Sequence, residues 1–168
     1  MVSKKYKTQK DSKTGLLRII ALKDFSDVKN GDEGGLIEKE ENLSQEGNCW
    51  VYCNAQVCGN ARVYDNAQVC GFAQVYGEAS ISGDAVVYYK AKVFGSAQVF
   101  GNARVCDNAQ VYGKARIFGN AEINGAMNII DIAISSKYVD LSKVDKYCKD
   151  MLSVRKLYGK NLEDDLTY

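Results

Sequence analysis

The chain has 168 residues, of which 46% are hydrophobic and 26% charged, and 22 Lys and Arg nearly balance 21 Asp and Glu for a formal net charge of +1. That balance argues against bulk electrostatic capture of nucleic acid, and no apolar run approaches the ~20 residues of a membrane span. There is no Pro and no His, which removes the commonest general base and the commonest metal ligand.

The length fits one domain. The N-terminus (MVSKKYKTQKDSKTG) is basic but has no apolar core behind it, so it does not read as a secretory signal. The expectation is an intracellular, cytoplasmic protein whose six Cys are reduced thiols. No CxxC is present, which excludes a zinc ribbon or a thioredoxin-like motif. Lys4 to Gln9 can pair with Leu16 to Leu22 across the turn from Asp11 to Gly15, giving a β-hairpin; one strand with a disordered tail is the alternative.

Residues 24–46 carry eight Asp or Glu against Lys29 and Lys39. Asn30-Gly31-Asp32-Glu33-Gly34-Gly35 reads as a turn cluster. It is no phosphate loop, because no helix pattern succeeds it, GK[ST] is missing, and Asp32 and Glu33 would repel a phosphate. The acidic spacing does not match an EF-hand. Residues 1–46 are therefore read as a hairpin and an acidic cap that covers the first strand edge of the repeat region beginning at Gly47.

From Cys53 to Asn124 the chain is twelve copies of one hexad, beginning CNAQVC, GNARVY, DNAQVC. The third position is always Ala, from Ala55 to Ala121, and the fifth is always Val or Ile, from Val57 to Ile123. Side chains alternate along a strand, so positions three and five share a face, and their identities place that face inside. Gly at position one and Asn or Asp at position two tolerate left-handed turns. Each hexad is one short strand and one corner. GNCWVY, from Gly47, already has the frame. GAMNII and DIAISS keep it loosely, with Met127 and Ala133 in the Ala slot. The solenoid is expected over residues 47–136.

An aliphatic residue followed four positions later by a small one, as in Val57 to Ala61 and Val63 to Ala67, resembles the hexapeptide-repeat proteins. The resemblance implies a mainly β, single-stranded parallel β-helix, left-handed, with three hexads per triangular coil. Chain chirality alone favours right-handed crossovers. Residues 16–124, and above all LLRIIALKDFSDVKNGDEGGLIEKEENLSQEGNCWVYCNAQV, are similar to small YdcK-like β-solenoid proteins common in phages and prophages, often called hypothetical proteins or putative transferases.

Beyond Ser136 the period changes. Ser142 to Asp145 has capping-box spacing, and Val144, Tyr147, Cys148, Met151, Val154 and Tyr158 recur at helical spacing. The reading is a C-terminal α-helix over Leu141–Tyr158, within a segment 137–160, followed by an acidic tail, 161–168. Tyr147, Met151, Val154 and Tyr158 are its candidate interface residues.

Positions four and six face outward. Position six carries Tyr64, Tyr76, Tyr88, Phe94, Phe100, Tyr112 and Phe118. With three hexads per coil, residues 18 apart stack, giving columns Tyr76–Phe94–Tyr112, Tyr64–Ser82–Phe100–Phe118 and Tyr52–Cys70–Tyr88–Cys106. Such columns can stiffen the coil, form an oligomer interface, or recognise a ligand or macromolecule. Trp50 is placed against the acidic cap, with ligand stacking as its other reading.

The functional expectation is a non-catalytic binding or structural solenoid, phage- or prophage-encoded. It self-associates, with a homotrimer implied by the hexapeptide resemblance, and binds a host protein or a small ligand, as in antagonism of host defence. No cofactor and no metal are expected. The alternative is a hexapeptide acyltransferase using acyl-CoA, but its usual base is a His, and nothing places a base beside Cys58, Cys70 or Cys106. End-to-end stacking of coils is opposed by the caps at both ends.

Overall fold

The computed structural model describes residues 4–135 and the strand Tyr138–Val139. The expected helix over residues 141–158, with Tyr147, Met151, Val154 and Tyr158, and the acidic tail lie outside the described residues. Those described form a parallel β-solenoid. Each coil contributes one short strand to each of three faces.

The N-terminal hairpin forms as the turn chemistry dictates. Strand β1, Tyr6–Lys10, pairs antiparallel with β2, Leu17–Ala21. Between them Asp11 accepts bonds from the Thr14 N–H and hydroxyl, and the Gly15 N–H donates to the Asp11 carbonyl. Strand β2 then pairs antiparallel with β3, Glu33–Ile37, and β3 pairs parallel with Gln56–Val57. The hairpin thus continues one face of the solenoid and leaves β1 as its edge, where Lys7 and Lys10 discourage further pairing.

Two expectations need correction here. Gly34 and Gly35 are not turn residues but part of β3. A Cβ on Gly34 would meet the Val51 carbonyl oxygen at 2.6 Å, and one on Gly35 would meet that of Ala55 at 2.7 Å. Only glycine lets this strand press onto the first coil. The solenoid ladder also begins before Gly47. β3 is its first rung, and Leu43 bridges to Val63 on a second face. Part of the acidic segment is therefore coil as well as cover.

Face I runs β3, Gln56–Val57, Gln74–Val75, Lys92–Val93, Gln110–Tyr112, Asn128–Ile130. Face II runs Arg62–Val63, Ser80–Ile81, Gln98–Val99, Arg116–Ile117, Ala133–Ile134. Face III runs Trp50–Val51, Gln68–Val69, Val86–Val87, Arg104–Val105, Glu122–Ile123, Tyr138–Val139. Through the strict repeat, partners lie 18 residues apart, as in Gln56 with Gln74 and Lys92 with Gln110. Backbone bonds join coil to coil at nearly every position, such as Gln74 N–H to Ala91 O at 2.9 Å and Phe94 N–H to Val111 O at 2.9 Å. The inward Ala and Val or Ile of all twelve hexads are buried.

At the C-terminal end the frame slips. Arg116 pairs with Ala133 and Ile117 with Ile134, one residue short of the repeat. Ile132, not Ala133, takes the inward Ala slot, and its carbonyl accepts from the Arg116 N–H. The register follows burial. This shift turns Ile132 and Ile134 toward the core instead of Ala133 and Ser135.

The cap is locked by polar groups as well as by packing. Lys5 is 1% exposed, and its ammonium group donates to the carbonyls of Cys49 at 2.9 Å, Glu46 at 3.2 Å and Gly47 at 3.4 Å. The Tyr6 hydroxyl donates to Leu43 O at 2.7 Å. Trp50 sits at an outward position yet is 1% exposed, because Phe25 and Tyr6 close over it edge-on at 5.3 and 6.1 Å between ring centroids. It packs the cap and offers no ring to a ligand.

Candidate functional site

The outer surface takes its character from position six. Tyr76, Phe94 and Tyr112 form one continuous stack on face I, with centroids 4.9 Å apart at both steps and ring planes within 4°. The coil spacing sets this geometry, since rungs ~4.8 Å apart bring identical rotamers into parallel contact. On face II, Phe100 stacks on Phe118 at 5.2 Å, and the Arg116 guanidinium lies 5.3 Å from the first ring and 5.9 Å from the second. All five rings are half-buried.

The other expected members stand apart. Ser82 separates Tyr64 from the Phe100 pair, and Tyr64 instead accepts a bond from the Ser80 hydroxyl at 3.1 Å. Tyr88 lies on face III between Cys70 and Cys106, and its ring tilts 44° against Tyr89 at 5.0 Å.

Two residues were missed by the position-six reading. Phe72 and Tyr89 are 63% and 60% exposed, the largest fractions among the exposed large hydrophobic side chains described. They occupy adjacent coils at the corner from face III to face I, joined by Phe72 N–H to Tyr89 O at 2.7 Å. Tyr89 holds φ +59°, in a slot that is Gly71 in the coil before, at a cost of roughly 1 kcal/mol. The available signal was the departure from Gly and Asn at the corner positions of GFAQVY and YKAKVF.

Face II also carries a step. The short 3-10 turn Glu40–Asn42 is pinned to the coil by Asn42. The Asn42 side-chain oxygen Oδ1 accepts from the N–H groups of Glu38 and Lys39, and its side-chain Nδ2 donates to Gly59 O at 3.0 Å and Ala61 O at 2.8 Å. The turn stands beside Arg62 and Tyr64 and forms a wall. An open depression of about 670 Å³ results, lined by Glu41 and Ser44 from the turn side and by Asn60, Arg62, Tyr64, Glu78 and Ser80 from the coils, with the Lys39 ammonium donating to Asn60 at 2.8 Å.

Four of the thiols are poor nucleophiles in this setting. Burial pushes the Cys49, Cys58, Cys70 and Cys106 thiols up, and Cys70, with Cys53 and Asp27 nearby, rises to about 11. The thiolate is the reactive form, so a raised value suppresses reactivity at neutral pH. Iodoacetamide labelling of Cys70 is therefore expected to be slow at about pH 8 and to climb as pH rises through about 11. Peptide mass mapping checks this; labelling at the rate of an unhindered thiol at neutral pH would contradict it. No cluster of three His, Cys, Asp or Glu suited to a metal occurs among the described residues. No helix among them is long and apolar enough to cross a membrane.

Comparison with known proteins agrees with this architecture. The family described as the YdcK β-solenoid repeat matches residues 55–71 and 97–113. The chain is also similar to the uncharacterized acetyltransferase YdcK of Escherichia coli (strain K12), with 52% identity over 48 residues. That stretch is 28% of this chain and 15% of the Escherichia coli protein. The chain is a parallel β-solenoid carrying the YdcK type of repeat.

Proposed function

We propose that this protein is a non-catalytic solenoid that self-associates through its outer aromatic faces, with a trimer as the assembly. The observation that carries this reading is the pair of half-buried stacks, Tyr76–Phe94–Tyr112 and Phe100–Phe118. Packing along the coil covers the ring faces but leaves the outer edges in water. A second surface would remove that remaining apolar area from solvent at ~25 cal/mol per Å². Face I adds a compositional argument. At its outward positions four and six, from Gln56 to Tyr112, Lys92 is the one charged residue, a depletion of charge typical of interface cores. The same faces are where a phage-encoded solenoid would present a binding surface to a host protein.

The double variant Phe94→Asp with Phe100→Asp tests this. Both side chains point outward, so the β circular dichroism signal should persist while the native mass falls to that of one chain. An unchanged oligomer would sink the reading.

A second reading, acyl transfer from acyl-CoA, is favoured by one observation: the matched Escherichia coli protein is named an uncharacterized acetyltransferase. The absence of His from the sequence weighs against it. Saturable acetyl-CoA binding with turnover on the purified chain would establish it in place of the first.

A further inference from the structure

We infer that Cys53 and Cys70 are a redox-responsive pair, whose thiols join as a disulfide across two adjacent coils when a small-molecule disulfide such as oxidised glutathione is present. The inference stands independently of self-association.

The ladder brings the two together. Trp50 pairs with Gln68 and Val51 with Val69 in parallel register. The Tyr52 N–H then donates to Val69 O at 2.7 Å and the Asn54 N–H to Gly71 O at 3.1 Å. Cys53 therefore lies over Gly71, one residue along from Cys70. Rungs ~4.8 Å apart and successive Cα atoms ~3.8 Å apart put the two Cys Cα atoms roughly 6 Å from each other, within the span of a disulfide.

The corner also aims the side chain. Cys53 holds φ +56°, in the slot that is Gly in most hexads. A Cβ on Gly71 or Gly77, in the same slot, would come within 3.1 or 3.0 Å of the backbone nitrogen of Tyr89 or Gly95, the same position one coil on. Real side chains in this slot reach the same place. Asp65 accepts from the Gly83 N–H at 3.1 Å, and Asp107 from the Gly125 N–H at 2.9 Å. The same geometry sends Cys53 toward the Gly71 nitrogen, which belongs to the peptide bond that follows Cys70. Gly71 has no side chain to block the approach. Asp65 and Asp107 offset their left-handed backbone with that hydrogen bond, whereas a thiol is a weak acceptor. A covalent use accounts for Cys in this corner where local bonding does not.

The chemistry is a pair of thiol–disulfide exchanges. The exposed Cys53, as thiolate, attacks one sulfur of oxidised glutathione and expels a glutathione thiolate. The half-buried Cys70, as thiolate, then attacks the Cys53 sulfur of the mixed disulfide and expels the second. The two protein thiols lose two hydrogens and two electrons, which leave as two glutathione thiols. Burial first, then Cys53 and Asp27 close by, push the Cys70 thiol up to about 11, so closure should quicken as pH rises toward that value. The Cys53 carbonyl accepts from Arg18 at 3.3 Å, so the bond fastens the coil that bears the hairpin to the coil after it.

The test is incubation of the whole chain with oxidised glutathione, blocking of the remaining thiols, and peptide mapping without reduction. Trypsin cuts after Arg62, so the bond should join peptide 40–62 to peptide 63–90 until dithiothreitol separates them. The joined pair should vanish in Cys53→Ser and in Cys70→Ser and persist in Cys58→Ser, whose thiol shares the first peptide. All three variants should keep the wild-type circular dichroism. The oxidised chain should melt roughly 6–12 °C above the reduced one, as expected for closing a loop of this size. The inference is overturned if no joined pair forms, if it survives Cys53→Ser, if the bond links two chains instead of one, or if the oxidised chain melts no higher than the reduced.

Discussion

Val93→Asp is expected to lower stability by about 4 kcal/mol or more, whereas Lys92→Gln beside it changes stability by no more than about 0.5 kcal/mol. The two residues are consecutive in one strand but point to opposite sides. Val93 is fully buried and stacks in register between Val75 and Val111. A carboxylate there has no partner and no water. Its neighbours on the same inner face are apolar, so nothing can rotate in to satisfy it. Lys92 is exposed on face I. The damage should spread, because a solenoid is stabilised by nearest-neighbour interfaces and a broken central coil uncouples the coils on either side. At ~2–4 °C per kcal/mol for a chain of this size, the melting temperature should fall by roughly 10 °C or more. Thermal melts of the two variants side by side check the claim. Similar behaviour of the pair would mean that the inward and outward assignment is wrong.

The second large effect belongs to the N-terminal cap. Asn42→Ala should cost about 3 kcal/mol, and Asn42→Asp at least as much. Asn42 is fully buried and makes four hydrogen bonds, two as acceptor and two as donor. Alanine leaves the N–H groups of Glu38 and Lys39 and the carbonyls of Gly59 and Ala61 without this partner. Aspartate keeps the acceptor but turns a carboxylate oxygen toward two carbonyl oxygens, which repel it. Urea denaturation measures both. An Asn42→Asp variant as stable as wild type would show that the amide donors contribute nothing. Because Asn42 also holds the 3-10 turn against the coil, both substitutions should loosen Glu40 and Glu41.

The sequence and the structure meet most closely where local pattern and burial agree. An invariant Ala and an invariant aliphatic residue two positions apart leave little choice but an inward face, and Ala55 to Ile123 obey that pattern without exception. The stacking of Tyr76, Phe94 and Tyr112 was legible for the same reason, since a fixed period converts sequence distance into spatial contact. The reading failed where periodicity weakens. At Asp131–Ser135 the frame slips by one residue because two Ile, rather than Ala and Ser, occupy the inward slots. Gly34 and Gly35 resemble a turn locally, and only the close approach of Val51 and Ala55 explains them as strand. The face II depression could not be read at all. Its wall and floor lie about one coil apart in sequence and meet through the bridge between Leu43 and Val63 and the Asn42 amide bonds to Gly59 and Ala61. Phe72 and Tyr89 break the Gly-Asn corner pattern, a signal that lies outside position six.

What the outer faces do is decided most directly by the native mass of the wild-type chain. Sedimentation equilibrium across a wide concentration range should give three times the 18.5-kDa chain mass, with dissociation only on dilution. A single-chain mass at every concentration would contradict the account, leaving the aromatic stacks as internal stiffeners of a monomeric solenoid.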